Sequence, residues 1–342
     1  MAYSTIDKSS LFMNPLLWTG DGGSSRSITG VGFEPDMVWI KQRDGTNNHM
    51  LADTVRGANN KINPNVTDAN DTGTTSLKAF GSDGFTAGTN TEINASGNTY
   101  VGWNWKAGTT SGLSGGTITP SAYSFNTTSK FGIYKRTGTA SAGTITHGLG
   151  GVPKMIISKN LTDVANWRVY HNALGSNNGI NLNETAGDYT DANLWNGTDP
   201  TSTVYSIGSG NDTNKSGSDF MDYVFCEVPG FSSIGKFFGN GNTDGPFVYT
   251  GFRPSFILLK RWNSTSDWMI VDNKRAGYNE ANYRFKANDA AAEDTGDYVN
   301  LVSTGFKIIT TSGDWNTDGG FYLYIAFGQS IVGSNGVVGT GR

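Results

Sequence analysis

Reactive chemistry needs a constellation of side chains, and the sequence offers few candidates for one. Its histidines, His49, His147 and His171, lack the HxxxH or HxH spacing that brings two imidazoles onto one metal. His147 lies in the turn Thr146-His147-Gly148-Leu149-Gly150, where hydrogen bonding within the turn is the plainer role. No GxSxG elbow, Walker A loop or GxGxxG phosphate loop is written anywhere. The single cysteine, Cys226, excludes an intramolecular disulfide, and it alternates with aromatics in Tyr223–Val228 as a buried apolar residue does. Asn240–Gly245 begins like a DxDxDG calcium loop, but the twelfth position is Gly251, where an EF-hand places Glu. A turn accounts for it better, and Asp212 and Asp314 sit in similar turns. Paired carboxylates can hydrolyse sugars from distant positions in a chain. No acidic residue recurs with the repeat described below, so the expectation is a protein with no catalytic set, no metal and no cofactor.

The aromatics say more. Trp195, in Asn193-Leu194-Trp195-Asn196-Gly197-Thr198-Asp199, and Trp315, in Gly313-Asp314-Trp315-Asn316, sit in polar loops. An indole among amides and carboxylates can stack on a sugar ring while its neighbours bond the hydroxyls. This makes Trp195, Asn196, Asp199, Asp314, Trp315 and Asn316 the candidate ligand contacts. The alternative is that these indoles cap a core or line a subunit contact. Trp103 and Trp105 alternate with Gly102 and Asn104, so both project from one strand face, and core or interface is favoured for them.

These residues are carried by a repeat. Gly32-Phe33-Glu34-Pro35-Asp36-Met37-Val38-Trp39-Ile40-Lys41 is written again as Gly150–Lys159 and Gly251–Lys260. Gly20 to Pro35, Gly138 to Pro153 and Gly239 to Pro254 are each 15 residues apart. Fourteen residues after each proline comes His49, Trp167 or Trp268, opening a second apolar segment. Each copy closes on a tyrosine-led strand beginning at Tyr100, Tyr223 or Tyr322. The same spacing in three places defines three versions of one module.

Gly 47, aromatics at 12% and charges at only 16% describe many short strands joined by tight turns. Ala287–Glu293 is the best helical candidate and spans only about two turns. Phe256–Leu259 and Met155–Ile157 are apolar on both faces, as central strands covered on each side are. The predicted fold is all-β: three tandem antiparallel β-sandwiches of jelly-roll type. The boundaries are a leader at 1–16, modules at 17–106, 118–229 and 230–330, a Gly/Ser/Thr linker at 107–117 and a Gly-rich tail at 331–342. The linker has a flexible composition; the second and third modules, with almost no spacer, should share an interface. The apolar leader, Leu11–Leu17, either completes the first module as a strand or docks on a partner. A net charge of -4 spread along the chain argues against a nucleic-acid partner. No run approaches the ~20 apolar residues of a membrane-spanning helix, and the N-terminus lacks a secretory pattern. The chain is thus expected to be made in a cytoplasm.

The text from Thr146 to Ile157, Trp167 to His171, Trp195 to Gly208 and Gly241 to Pro254 resembles a repeat widespread in tailed bacteriophages, especially those of marine bacteria. The first module looks like a related unit through Gly30–Lys41 and Asp53–Gly57. The resemblance implies a virion structural protein with concanavalin-like (lectin/glucanase-type) sandwiches, and it supplies no catalytic set. The expected function is a non-enzymatic surface protein of the virion (tail fibre, tail tip or appendage) that recognises host-surface glycans. Its partners would be other virion proteins and copies of itself. A capsid-cementing protein without ligand, or a polysaccharide-degrading enzyme, are the alternatives.

Overall fold

The repeat becomes a repeated sheet. A computed structural model describes residues 4–330 except 278 and 280; the expected tail at 331–342 lies outside the described residues. In each unit an opening strand (Met13–Thr19, Phe131–Thr137, Ser232–Phe238) pairs with the closing strand (Thr99–Trp105, Asp219–Cys226, Phe321–Gln329). The closing strand pairs in turn with the anchor strand (Met37–Gln42, Pro153–Asn160, Arg253–Arg261). The anchor strand then pairs with the segment that follows it (Met50–Asp53, Arg168–His171, Trp268–Asp272). All of these pairings are antiparallel. The chain is all-β; among the described residues its helices are single turns of three or four residues, and Ala287–Glu293 is not one of them. The apolar leader is tied down as the first unit's opening strand, which answers the choice the sequence left open.

Side chains alternate across a strand, and both faces of each anchor strand are covered. One face carries Val38 and Ile40, Ile156, or Ile257 and Leu259 into the unit's own core. Shorter strands cover that core, among them Arg26–Thr29 with Gly84–Ala87, Gly143–Thr146 with Val204–Ile207, and Phe247–Tyr249 with Gly305–Ile308. The other face carries Met37 and Trp39, Met155 and Ile157, or Phe256 and Leu258 into a single core shared by all three units. Trp103 and Trp105 point into that shared core, where they meet Phe256 edge-on. An apolar cavity of ≈ 20 Å³ within it is lined by all three units, including Trp105, Phe225 and Phe327.

The units close into a ring, and equivalent residues make equivalent joints. The position after each anchor strand reaches a neighbour's backbone. The Trp167 indole donates to Asn63 O and Val66 O, that of Trp268 to Asn181 O, and His49 Nε2 to Lys286 O. A second set runs from the closing strands. Tyr223 Oη donates to Asp53 at 2.7 Å, Trp103 Nε1 to Asp272 at 3.0 Å, and His171 Nε2 to Tyr324 O at 3.3 Å. The buried side chains of Arg56 and Arg275 hold those two carboxylates at 2.7 Å. The lysine ending each anchor is also buried. Lys159 and Lys260 bind carbonyls of their own loop and of the preceding unit (Thr67, Thr185), while Lys41 binds Gln42 O and Gly45 O.

One expectation needs correction, and one is met. The 107–117 segment is not a loose tether: Ala107 donates to Asp36, Thr109 bridges to Phe125, Gly116 bridges to Ile145, and Leu113 packs on the second unit's core. The second and third units do share an interface, through Trp268 to Asn181 and Lys260 to Thr185, and the first unit meets both at matched joints around the same core. The linker composition misleads because small residues also let a chain lie close against a sheet.

Candidate functional site

The tryptophan candidates are built inward. Trp195 ends the helical turn Ala192–Trp195 and is 1% exposed; Trp315 lies in the turn Gly313–Asn316 and is fully buried. Each closes the end of its own unit's core, Trp195 edge-on to Tyr170 and Trp315 stacked on Tyr298 at 5.3 Å, so the two do not converge. Asp199 accepts from Tyr170 Oη and Ser176 N, and Asp314 from Ser266 Oγ and Asp267 N. Asn196, at φ 56, ends the turn and stays exposed. Neither indole offers a platform to a sugar. A short helical turn rotates an apolar residue inward however polar its neighbours are, and burial of the indole decides the outcome.

Asn316 has a different role from the one expected. It is fully buried, and its Nδ2 donates to Asn240 Oδ1, Asn242 O and Thr310 O while its Oδ1 accepts from Asn240 N. Asn94 and Asn214 repeat this bonding at the same place in their units. The signal was present as Asn-x-x-Gly-x-x-aromatic at Asn94, Asn214 and Asn316, whose glycines all sit at positive φ. The Asn240–Gly245 segment is the turn this asparagine clamps, and Asp244 pairs with Lys307 at 2.6 Å. Among the described residues no group of three or more His, Cys, Asp and Glu is placed to hold a metal. His147 is a buried turn residue, accepting from Leu149 N and donating to Thr201 O. Cys226 is packed in the second unit's core, and burial pushes its thiol up to about 12.

What the fold does open is a cleft of ≈ 890 Å³ between the first and second units, within the usual size range of ligand sites. The ordered 107–117 segment walls one side and the Gly32–Asp36 turn the other. Asp36 forms part of the floor and ties three segments together: Thr54 Oγ1 and Ser124 Oγ donate to one oxygen at 2.9 and 2.8 Å, Ala107 N to the other at 2.8 Å. With those bonds the carboxylate is a strut. The lining also includes the exposed Glu34, the half-buried Lys106 and the Tyr123 ring, whose Oη accepts from Leu113 N. Glu34 and Lys106 have no ion-pair partner among the described residues. The cleft thus joins an aromatic surface, several hydroxyls, one free acceptor and one free donor cation. Glu34 and Asp36 belong to the first copy only; the equivalent positions are Val152 and Lys154, then Arg253 and Ser255. A departure from the repeat was therefore the available signal, and a search for what recurs passes over it.

Fold and cleft together define an all-β protein whose three units share one core, with an open cleft at one joint. The chain belongs to the family described as domain of unknown function DUF7483, whose model matches residues 8–330. That match spans all three units, so the family's unit is the whole ring rather than one repeat. No curated protein and no solved structure matched the chain.

Proposed function

We propose that this chain is a non-enzymatic structural protein on the surface of a bacteriophage virion, in a tail fibre, tail tip or appendage. Each unit is read as a jelly-roll, concanavalin-like sandwich, and the ring as recognising a host-surface glycan in the cleft between its first two units. The observation that carries the binding reading is the unpaired Glu34 and Lys106 beside the Tyr123 ring in an open cleft. Sugars are held by such a mixture, an apolar face for the ring and a few placed polar groups for the hydroxyls. The non-enzymatic reading is supported by Asp36, whose oxygens are engaged by three donors and so stand poorly placed to share acid/base work with Glu34. The virion assignment rests on the resemblance of the repeats to tailed-phage proteins. Copies on a symmetric particle would multiply a weak single site through avidity.

The test is retention of the intact protein on a bacterial glycan array, with Glu34→Gln and Lys106→Met as variants. Retention that falls about tenfold in the variants, at unchanged melting temperature, supports the reading. Release of reducing sugar would overturn its non-enzymatic part. A second reading, a cementing protein without ligand, is favoured by the solvent-facing aromatics of the third unit. Phe238 and Phe321 are 56% and 38% exposed and meet edge-on at 5.1 Å. Phe247 and Tyr249 are also exposed. Loss of particle incorporation in Phe238→Ser, with no glycan retention by the native protein, would favour it.

A further inference from the structure

The cleft does not end at the first two units' rim. A second depression, of ≈ 190 Å³, lies along the same joint and is lined by Arg56, Asn60, Asn70, Lys135, Thr162 and Asp219. Val55 lines both. The two are linked on the opposite wall as well: Ala122, in the large cleft, is the register partner of Lys135, in the smaller one, and Ser121 N donates to Lys135 O at 2.8 Å. An apolar residue on one side and a rung of paired strand on the other thus join the depressions into one groove. One end offers Glu34, Lys106 and Tyr123; the other offers the Lys135–Asp219 ion pair at 2.9 Å and the exposed Thr162, beside Asn60 and Asn70, whose amides bond each other and Arg56. A compact ligand would use one end only. A groove with polar groups at both ends and a half-buried valine between them matches a linear chain with repeating polar and apolar faces.

The geometry points to a site for a linear oligosaccharide of several residues carrying acetamido groups, running across the joint of the first two units. This rests on the glycan reading above and adds its shape and substituent. An acetamido group combines an N–H donor, a carbonyl acceptor and a methyl. The groove supplies their complements in the Glu34 carboxylate, the Lys106 ammonium and the Val55 side chain.

The intact protein is titrated by calorimetry with chitooligosaccharides of two, four and six sugars, and with cellooligosaccharides of the same lengths. Expected is an affinity that rises at least about tenfold from two to six chitin sugars, with a weaker cellulose series. Lys135→Glu and Thr162→Trp, which line only the smaller depression, should each remove the gain with length and leave the two-sugar affinity within about twofold; the second keeps the test valid if the first fails to fold. Two-sugar binding that is lost in Glu34→Gln but shows no gain with length would overturn the groove and leave the glycan cleft standing. Equal binding of the two series would overturn the acetamido assignment. No binding of either series would overturn the inference, while retention on the bacterial array in the same preparation would show that the glycan reading survives it.

Discussion

At the scale of single residues, the same polar character conceals opposite roles. Asn196 is exposed, whereas Asn316, in an equally polar stretch, is sealed inside with its amide fully bonded. Trp195 and Trp315 fill the ends of their cores, yet neither Nε1 has a hydrogen-bond partner among the described residues. Their contribution is therefore shape and apolar area. Trp195→Phe should leave the denaturation midpoint near that of the native protein, while Trp195→Ala should cost about 3–5 kcal/mol; urea unfolding followed by circular dichroism separates the two. Asn316→Ala should cost about 1–3 kcal/mol for each buried group left without a partner, measured in the same way.

At the scale of elements, the joints between units are where protonation matters. His49 Nδ1 accepts from Trp39 Nε1 at 2.9 Å and His171 Nδ1 from Ala173 N at 3.1 Å, while each Nε2 donates to a carbonyl of the third unit. Both rings must be neutral to do this. Burial, with Lys41 and Arg275 near His49 and Lys154 near His171, pushes them down to about 3 and about 4. The unfolded chain takes up these protons near pH 6.5, so the stability they confer is whole above that value. It is lost as pH falls toward 4, at no more than about 1.4 kcal/mol per pH unit for each histidine. Calorimetry from pH 7 to 4.5 should show a falling melting temperature, with a shallower fall in a His49→Gln, His171→Gln double variant. Burial likewise pushes Lys41, Lys159 and Lys260 down to about 8, which by the same sign makes the ring gain stability between about pH 8 and 10.5.

At the scale of the whole molecule, the three units are held by one shared core. Trp39, Trp103 and Trp105 of the first unit are buried only because the other two units cover them. An excised 1–106 fragment would expose that face to water and should not fold alone, as its amide spectrum would show. The full chain should unfold in a single calorimetric transition; separate transitions for each unit would contradict the shared core.

Much of this was legible in the sequence. The repeat, its spacing and the alternation of apolar residues follow from covalent order, and they determined an all-β chain with central strands covered on both faces. The lysine ending each anchor and the Asn-x-x-Gly-x-x-aromatic turn were written three times as well, although their spacing says nothing about what they bond. Periodicity states that a strand has two buried faces and is silent on what covers the second one. Tertiary structure alone decided that the second face belongs to a core shared by three units, that Trp195 and Trp315 turn inward, and that residues 107–117 are pinned. It also created the cleft, since Glu34, Lys106 and Tyr123 line one opening only when two units and the segment between them pack together. Such contacts depend on which surfaces gain most by leaving water, a property of the assembled chain and of no local stretch within it.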